Sequence, residues 1–308
     1  MPKKLLVAAE VDRTLQERAA GDRRFEITVR PVRTEEALAT IVADCQILVT
    51  RSFNRVTRRV IEQAPRLELI AQGTSGTDNI DADAARERGI TVLNLPGVNA
   101  DAVAELVIGF MISLTRTVPA YTRAMKQGAW NRDDCATRHE LRYHRLGIVG
   151  LGEVGRRVAR LAGVFGMSVR AVDPYLPEAA FQERGAVRAA SLGELLSSTD
   201  IVTLHVPLTA ETRRMIGAVQ IASMPGGSML INAARGEVLD QKAALEALAA
   251  DHLGGLALDV FDPEPPAGGF PDDPRLIVTP HVAGCTHEAK TAVGARLYEK
   301  IAAFYTGR

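Results

Sequence analysis

Short apolar runs alternate with helix-compatible segments along the whole chain, and this alternation constrains the fold more than any other feature. We predict five strands in the first third and six in the remainder: residues 5–7, 27–29, 47–49, 67–71, 91–95, 146–149, 168–172, 201–206, 228–233, 256–260 and 276–278. Such a strand–helix rhythm is typical of parallel, doubly wound sheets. Strands that are apolar throughout are expected when helices cover both faces of the sheet.

The two series of strands predict two domains, because 308 residues are more than one hydrophobic core usually serves. A long helical stretch, residues 100–125, separates the series, and we expect Asp101 to be its N-cap. The tail, residues 286–305, is also helical, and residues 263–274 form a loop rich in Pro, Gly and Asp.

Composition excludes several classes of function. Lys and Arg number 37 and Asp and Glu also 37, which argues against a general nucleic-acid or membrane-surface binder. The longest apolar stretch, residues 102–114, contains Glu105 and is too short to span a membrane. The three cysteines, Cys45, Cys135 and Cys285, are far apart and imply neither a disulfide framework nor a metal site. We therefore expect a cytoplasmic protein without a metal.

The most informative local motif is a glycine-rich turn at residues 150–155, between a predicted strand and a predicted helix. Gly150 allows a tight turn, Gly152 lets the backbone approach a pyrophosphate, and Gly155 lets helix and strand pack closely. The unpaired N–H groups of the helix N-terminus favour a negatively charged ligand there. Asp173 ends the next strand, where a carboxylate binds the ribose 2′-hydroxyl and repels a 2′-phosphate. The motif predicts NAD rather than NADP as cofactor.

Three polar side chains follow later strands, at the sheet edge where doubly wound folds bind ligands. Arg235 comes after the strand at residues 228–233, and its planar guanidinium suits a carboxylate. Glu264 lies between two prolines after the next strand. His281 follows the last strand and is suited to general acid–base catalysis. Each residue alone could equally be structural.

Taken together, these motifs resemble the D-isomer-specific 2-hydroxyacid dehydrogenases. The resemblance rests on the order and spacing of the glycine turn, Asn232-Ala233-Ala234-Arg235-Gly236, Asp259 with Glu264, and Thr279-Pro280-His281. Residues 76–81 and 99–106 also look like signatures of this family. Where relatives carry Gly-Gly followed by Ser or Thr after the histidine, this chain has Ala283-Gly284-Cys285.

The resemblance implies a catalytic role for Arg235, Glu264 and His281. His281 would exchange a proton with the substrate oxygen, Glu264 would hydrogen-bond His281 and raise its pKa, and Arg235 would bind the substrate. The implied cofactor site comprises Gly150, Gly152, Glu153, Val154, Gly155, Asp173, Ala233, Ala234, Arg235, Asp259, His281 and Gly284. The implied substrate site comprises Arg51, Thr74, Ser75, Gly76, Asn99 and Arg235.

The family fold is α/β, with two doubly wound, Rossmann-like parallel-sheet domains and the cofactor domain inserted into a discontinuous substrate domain. For this chain the resemblance implies a flavodoxin-like substrate domain at residues 1–100 and 284–308 and an NAD-binding domain at residues 101–283. It also implies a homodimer. The helix after Asp101 has apolar residues on more than one face, which agrees with a dimer interface.

The expected reaction is hydride transfer between nicotinamide and C2 of a small 2-hydroxy or 2-keto acid. The motifs look closest to the phosphoglycerate dehydrogenases, through residues 78–81 and Asn99, which makes 3-phosphoglycerate a candidate substrate; we expect no regulatory domain after Arg308. Two alternatives stay open. One is a glyoxylate or hydroxypyruvate reductase, and the other is an NAD-sensing binding protein similar to the corepressors that share this fold.

Overall fold

Parallel strand pairing organises the chain into a five-stranded sheet and a seven-stranded sheet. The computed structural model describes residues 1–130, 132, 133, 136 and 138–306; Cys135 lies outside these residues. The chain divides into unit 1, Met1–Asn99 with Cys285–Arg308, and unit 2, Ala100–Gly284. Both units are α/β with helices between most successive parallel strands, which confirms the predicted fold class.

Unit 1 contains a sheet in the order β2-β1-β3-β4-β5, with every neighbouring pair parallel. Its strands are β1 (Lys3–Val7), β2 (Phe25–Val29), β3 (Ile47–Thr50), β4 (Leu69–Gln72) and β5 (Thr91–Leu93). Its helices are α1 (Arg13–Ala20), α2 (Glu35–Ile41), α3 (Arg58–Glu62), α4 (Ala82–Glu87) and, at the other end of the chain, α12 (His287–Thr306).

Alternate residues of the central strands in unit 1 face two different layers of helices. Leu6 and Leu48 pack into a core formed with α2, α3 and α4, whereas Leu5, Val7 and Ile47 pack against α1 and α12. Burial on both faces explains why these strands are apolar throughout. The C-terminal helix therefore completes the core of the N-terminal sheet.

Unit 2 contains a sheet in the order β12-β11-β10-β9-β6-β7-β8, also entirely parallel. Its strands are β6 (Arg145–Val149), β7 (Ser168–Val172), β8 (Val187–Arg188), β9 (Ile201–Leu204), β10 (Ser228–Asn232), β11 (Leu253–Leu258) and β12 (Leu276–Val278). Its helices are α5 (Ala100–Thr115), α6 (Val118–Lys126), α7 (Glu153–Val164), α8 (Glu178–Glu183), α9 (Leu192–Ser198), α10 (Ala218–Ala222) and α11 (Gln241–Ala249).

Two helix layers also cover the sheet of unit 2. Helices α5, α7 and α8 pack on one face and α9, α10 and α11 on the other. The strand order reverses at β6, between β7 and β9, and the crevice outside the carboxyl ends of the strands at such a point is where doubly wound folds bind ligands.

The predicted single helix over residues 100–125 is wrong, because the structure has two helices bent by 63°. Pro119 lacks an N–H to bond the carbonyl of Thr115, which instead accepts from His139 N–H (2.9 Å). Thr117 takes a positive φ of 49° at the break. Asp101 is not the N-cap, since α5 begins at Ala100 and Asp101 lies in its first turn.

The apolar residues of α5 that suggested a dimer interface mostly pack within unit 2. Val103, Val107, Phe110, Met111 and Leu114 are all buried there. Among the described residues, no single helix is long and apolar enough to cross a membrane, although α5 and α6 taken together meet the criteria of length and composition.

Candidate active site

A histidine and a glutamate meet at the carboxyl edge of the unit 2 sheet. His281 follows β12 and Glu264 follows β11, and His281 Nδ1 lies 2.7 Å from Glu264 Oε2. The other carboxylate oxygen, Oε1, accepts from the backbone N–H of Phe261 (3.0 Å). This second bond fixes the carboxylate against its own loop, so Glu264 orients the imidazole ring through Nδ1 and directs Nε2 away from the pair.

The electrostatic environment favours the charged forms of both side chains. The hydrogen bond that His281 donates to Glu264 raises the pKa of His281 above its ordinary value, against the opposing effect of burial. Burial by itself would raise the pKa of Glu264, but the hydrogen bonds from His281 and from the Phe261 N–H lower it overall. Arg235 lies near enough to lower both pKa values electrostatically. The pairing therefore favours the protonated form of His281 and the ionised form of Glu264.

Asp259 holds the turn that carries His281. Its carboxylate is 1% exposed and accepts three hydrogen bonds, from Thr279 Oγ1 (2.6 Å) and from the backbone N–H groups of Val282 (2.9 Å) and Ala283 (2.9 Å). His281 has a positive φ of 53°, which is uncommon for a residue other than glycine. The buried carboxylate stabilises this turn on both sides of the histidine.

The loop after β10 presents Arg235. Asn232 Oδ1 accepts from the Ala234 N–H (3.1 Å), and Asn232 Nδ2 donates to the Arg235 carbonyl (2.9 Å). Gly236 packs so closely on the next loop that a Cβ there would lie 2.0 Å from the carbonyl carbon of Phe261. The side chain of Asn232 and this close approach bring the Arg235 loop beside the loop of Glu264.

The glycine turn after β6 fits the pyrophosphate of a dinucleotide. Gly150 has φ +88°, and a Cβ there would lie 2.7 Å from the His205 carbonyl oxygen; a Cβ at Gly155 would lie 2.1 Å from the Gly150 carbonyl oxygen. A Cβ at Gly152, by contrast, would meet only open space. No hydrogen bond from the backbone N–H of Gly152, Glu153 or Val154 is formed within the described residues. These N–H groups remain available to an anion.

The neighbouring residues of the predicted cofactor site have different surroundings. Asp173 follows β7 and accepts from the Leu151 N–H and the Tyr175 N–H, both at 3.0 Å. The Glu153 side chain pairs with Arg156 and Arg157 of its own helix, so only its backbone faces the turn. Asp173 is thus fixed at the edge of the glycine turn.

The predicted substrate residues of unit 1 follow its successive strands. Arg51 comes after β3, and its guanidinium forms no ion pair or hydrogen bond within the described residues, although its Nε is buried. Thr74, Ser75 and Gly76 come after β4, and their backbone N–H groups likewise donate no hydrogen bond within the described ranges. Asn99 ends the first segment of the unit. Arg51 and these N–H groups are suited to binding a carboxylate or another anion.

Arg235, Asp259, Glu264 and His281 are thus brought together at the ends of β10, β11 and β12. Ala233 and Ala234 lie on the Arg235 loop, whereas Gly284 is the last residue of unit 2.

His205 was not predicted from the sequence, because residues 201–206 were predicted as a strand, whereas β9 ends at Leu204. His205 lies at the carboxyl edge against Gly150, with Nε2 3.0 Å from Thr203 Oγ1, and burial lowers its pKa to about 3. A polar residue directly after an apolar run was the signal that could have indicated this position.

Known proteins resemble the chain in sequence. A family model described as D-isomer specific 2-hydroxyacid dehydrogenase, NAD binding domain, matches residues 108–283. A D-3-phosphoglycerate dehydrogenase of Methanocaldococcus jannaschii is 40% identical over 281 residues, which are 90% of this chain and 53% of that protein, so the chain spans about half its length. A hydroxypyruvate reductase of Thermotoga maritima is 37% identical over 285 residues, covering 90% of each protein.

A solved structure resembles the whole fold. In the D-lactate dehydrogenase of Aquifex aeolicus, complexed with NAD and lactic acid, the match has a TM-score of 0.88 at 27% identity and covers 99% of this chain and 96% of that one.

Proposed function

Because the chain belongs to the D-isomer specific 2-hydroxyacid dehydrogenase family, we propose that it transfers a hydride between NAD and C2 of a small 2-hydroxy or 2-keto acid. The observation that carries this proposal is the 2.7 Å contact of His281 Nδ1 with Glu264 Oε2, beside Arg235. The pair provides an oriented acid–base group, and Arg235 provides a cation for a carboxylate. Bound NAD supplies or accepts the hydride.

In the reductive direction, protonated His281 donates the proton on Nε2 to the carbonyl oxygen as C2 receives the hydride. The negative charge of Glu264 stabilises the imidazolium until that proton leaves, and His281 regains a proton from solvent. In the oxidative direction, neutral His281 accepts the hydroxyl proton at Nε2. Arg235 orients the substrate through its carboxylate, and Asp259 keeps His281 in position through the turn.

We assign the two units different tasks. Unit 2 binds the cofactor at the glycine turn, with Asp173 toward the ribose hydroxyls, and unit 1 binds the substrate carboxylate through the N–H groups of residues 74–76. A carboxylate at position 173 repels a 2′-phosphate, so binding of NAD should exceed binding of NADP. Tighter binding of NADP by the unmodified protein would contradict the assignment.

The identity of the acid depends on the group beyond C2. A phosphorylated acid such as 3-phosphoglycerate is supported by Arg51, whose guanidinium has no partner within the described residues. Hydroxypyruvate is supported by the relative from Thermotoga maritima, which matches this chain over 90% of both lengths. Replacing Arg51 by Gln should raise KM for a phosphorylated keto acid far more than KM for hydroxypyruvate.

The decisive experiment is turnover of NADH with a panel of glyoxylate, pyruvate, hydroxypyruvate and 3-phosphohydroxypyruvate. We expect NADH oxidation with at least one of them, and a loss of about 10²–10⁴ in kcat for His281→Ala with NADH binding retained. NADH binding without turnover of any acid would refute the proposed dehydrogenase activity and favour an NAD-sensing binding protein.

We further propose a cytoplasmic homodimer. The dimer is supported by α6, in which no residue is buried, and by the apolar side chains of Met125 and Trp130, which are 53% and 73% exposed. Light scattering at micromolar concentration measures the mass, and a monomer would contradict the dimer.

A further inference from the structure

Three side-chain amides, those of Asn54, Gln72 and Asn79, lie behind the loops at the carboxyl edge of the unit 1 sheet. Gln72 is fully buried; its Oε1 accepts from Thr50 Oγ1 (2.6 Å). Its Nε2 is within hydrogen-bonding distance of Thr74 Oγ1 (2.9 Å), the Gly76 carbonyl (3.2 Å) and Asn79 Oδ1 (2.8 Å). Gln72 thus holds both ends of the turn at residues 74–76 from inside the protein.

The other two amides connect this turn to the loop of Arg51. Asn79 Nδ2 donates to the carbonyls of Arg51 (3.1 Å) and Asn54 (2.7 Å). Asn54 Oδ1 accepts from the Arg51 N–H (3.0 Å), and Asn54 Nδ2 donates to the carbonyls of Ala8 (3.2 Å) and Val32 (2.9 Å). The loops after four strands of the sheet are therefore fixed to one another through the buried Asn54 and Gln72 and the half-buried Asn79.

The hydrogen bonds of this network occupy carbonyl oxygens and leave the N–H groups of residues 74–76 available to a ligand. The Gly76 carbonyl and the Thr74 hydroxyl turn inward to Gln72, whereas the N–H groups of residues 74–76 donate no hydrogen bond within the described residues. A turn whose acceptors are occupied and whose donors are not presents a positive surface. Gln72 supports this shape from behind, because among the hydrogen bonds described it is the side chain from outside the turn that contacts both ends. Within the turn, the Thr74 hydroxyl also donates to the Gly76 carbonyl (3.0 Å).

We propose that Gln72 and Asn79 are positioning residues for carboxylate recognition: they hold the N–H groups of residues 74–76 and the loop of Arg51 in the geometry that binds the acid. This inference rests on the proposed function for the identity of the ligand. Neither residue touches the substrate; both act through the backbone that they bind. Pre-organised donors lose little entropy when the ligand arrives, so loosening the turn should weaken binding more than it slows chemistry.

The same sheet offers a matched control at its opposite edge. Gln46 precedes β3, its Nε2 donates to Glu68 Oε1 (3.0 Å), and its Oε1 accepts from the Lys4 N–H (3.2 Å). Gln46→Leu and Gln72→Leu therefore remove the same amide, each from a network that links neighbouring strands. Only the second change touches the proposed carboxylate turn.

We would measure KM and kcat for the best keto acid, the Kd for NADH, the urea midpoint, and the Kd for oxalate, an unreactive dicarboxylate, by calorimetry. We expect Gln72→Leu to raise KM and the oxalate Kd by about tenfold or more, with a much smaller change in kcat and no change in the Kd for NADH. Asn79→Asp, which loses the two donated bonds, should act in the same direction. Gln46→Leu should lower only the urea midpoint.

Equal effects of the two leucine variants on oxalate binding, or no oxalate binding by the unmodified protein, would overturn the inference. Failure of the proposed function gives a different result, in which no acid is turned over while oxalate binding still depends on Gln72.

Discussion

Replacing Asp259 by Asn tests whether a buried carboxylate holds the catalytic turn. Asparagine keeps the size of the side chain, but its NH2 group cannot accept a hydrogen bond, so one of the three donors that now bind Asp259 is left unpaired. An unpaired buried donor costs about 1–3 kcal/mol, and the remaining bonds lose their charge assistance, worth about 1 kcal/mol each. With two bonds remaining, we therefore expect the free energy of unfolding of the protein to fall by about 3–5 kcal/mol.

The activity of the Asp259→Asn variant should fall as well, because His281 keeps its positive φ only while the turn on either side is held. A displacement of the catalytic ring by about 1 Å can cost on the order of 10² in rate, so we expect a decrease of that order in kcat with the Kd for NADH nearly unchanged. Urea unfolding followed by circular dichroism gives the stability, and steady-state kinetics gives kcat.

Asp200→Asn is the matched control for this prediction. Asp200 also accepts from a backbone N–H, that of Arg145 (2.7 Å), but it lies before β9 at the amino edge of the same sheet. It should lose stability without a selective loss of kcat. If Asp259→Asn unfolds at the same urea concentration as the unmodified protein, or if both variants lose activity equally, Asp259 is not the residue that holds the turn.

Three further predictions concern the same unit. In Glu264→Gln, the pKa of His281 should fall because the charged hydrogen-bond acceptor that raises it is removed. The pH above which reduction slows should then move lower, and oxidation should persist to lower pH. Unchanged pH–rate profiles would show that Glu264 does not tune His281. Gly152→Ala should preserve the urea midpoint, since its Cβ meets no atom within 4 Å, but weaken NADH binding by about tenfold, or about 1.4 kcal/mol; calorimetry showing equal affinity would contradict this. The folded-state pKa of His205, about 3, lies below the unfolded value near 6.5, so stability present above pH 6.5 should be lost as the pH falls toward 3. His205→Gln should flatten this dependence of the free energy of unfolding on pH, measured by urea titrations. An unchanged dependence on pH would contradict the role of His205.

Strands and the residues directly after them could be predicted from the sequence. Most strands appear as short apolar runs, because the central strands of both sheets are buried on two faces. A residue such as Arg235 or His281 that follows such a run must lie at the carboxyl edge. The exception is β8, Val187–Arg188, which is exposed and too short to show a pattern. Its existence depends on pairing with β7 and not on its own residues.

The supporting contacts of the site could not be predicted, because they join positions that are distant in the chain. Asp259 bonds residues 20 to 24 positions away, and the sequence does not show which carboxylate of an acidic loop will be buried. Gln72 and Asn54 are polar residues next to apolar runs, a pattern that equally fits exposed loops. The break at Thr117, by contrast, could have been predicted, because Pro119 disfavours a continuous helix. The helical pattern on both sides of the proline was interpreted as one helix instead.

The position of α12 has a consequence for how the chain reaches its final state during synthesis. The first 99 residues leave the ribosome with one face of their sheet covered only by α1, because the other residues that cover it, Val293, Leu297 and Ile301, are made only after the whole of unit 2. Unit 2, encoded without interruption, has all its strands and helices before that helix exists. Full coverage of this face must therefore wait for α12, and in the interval the apolar residues Leu5, Val7 and Ile47 are less protected from aggregation.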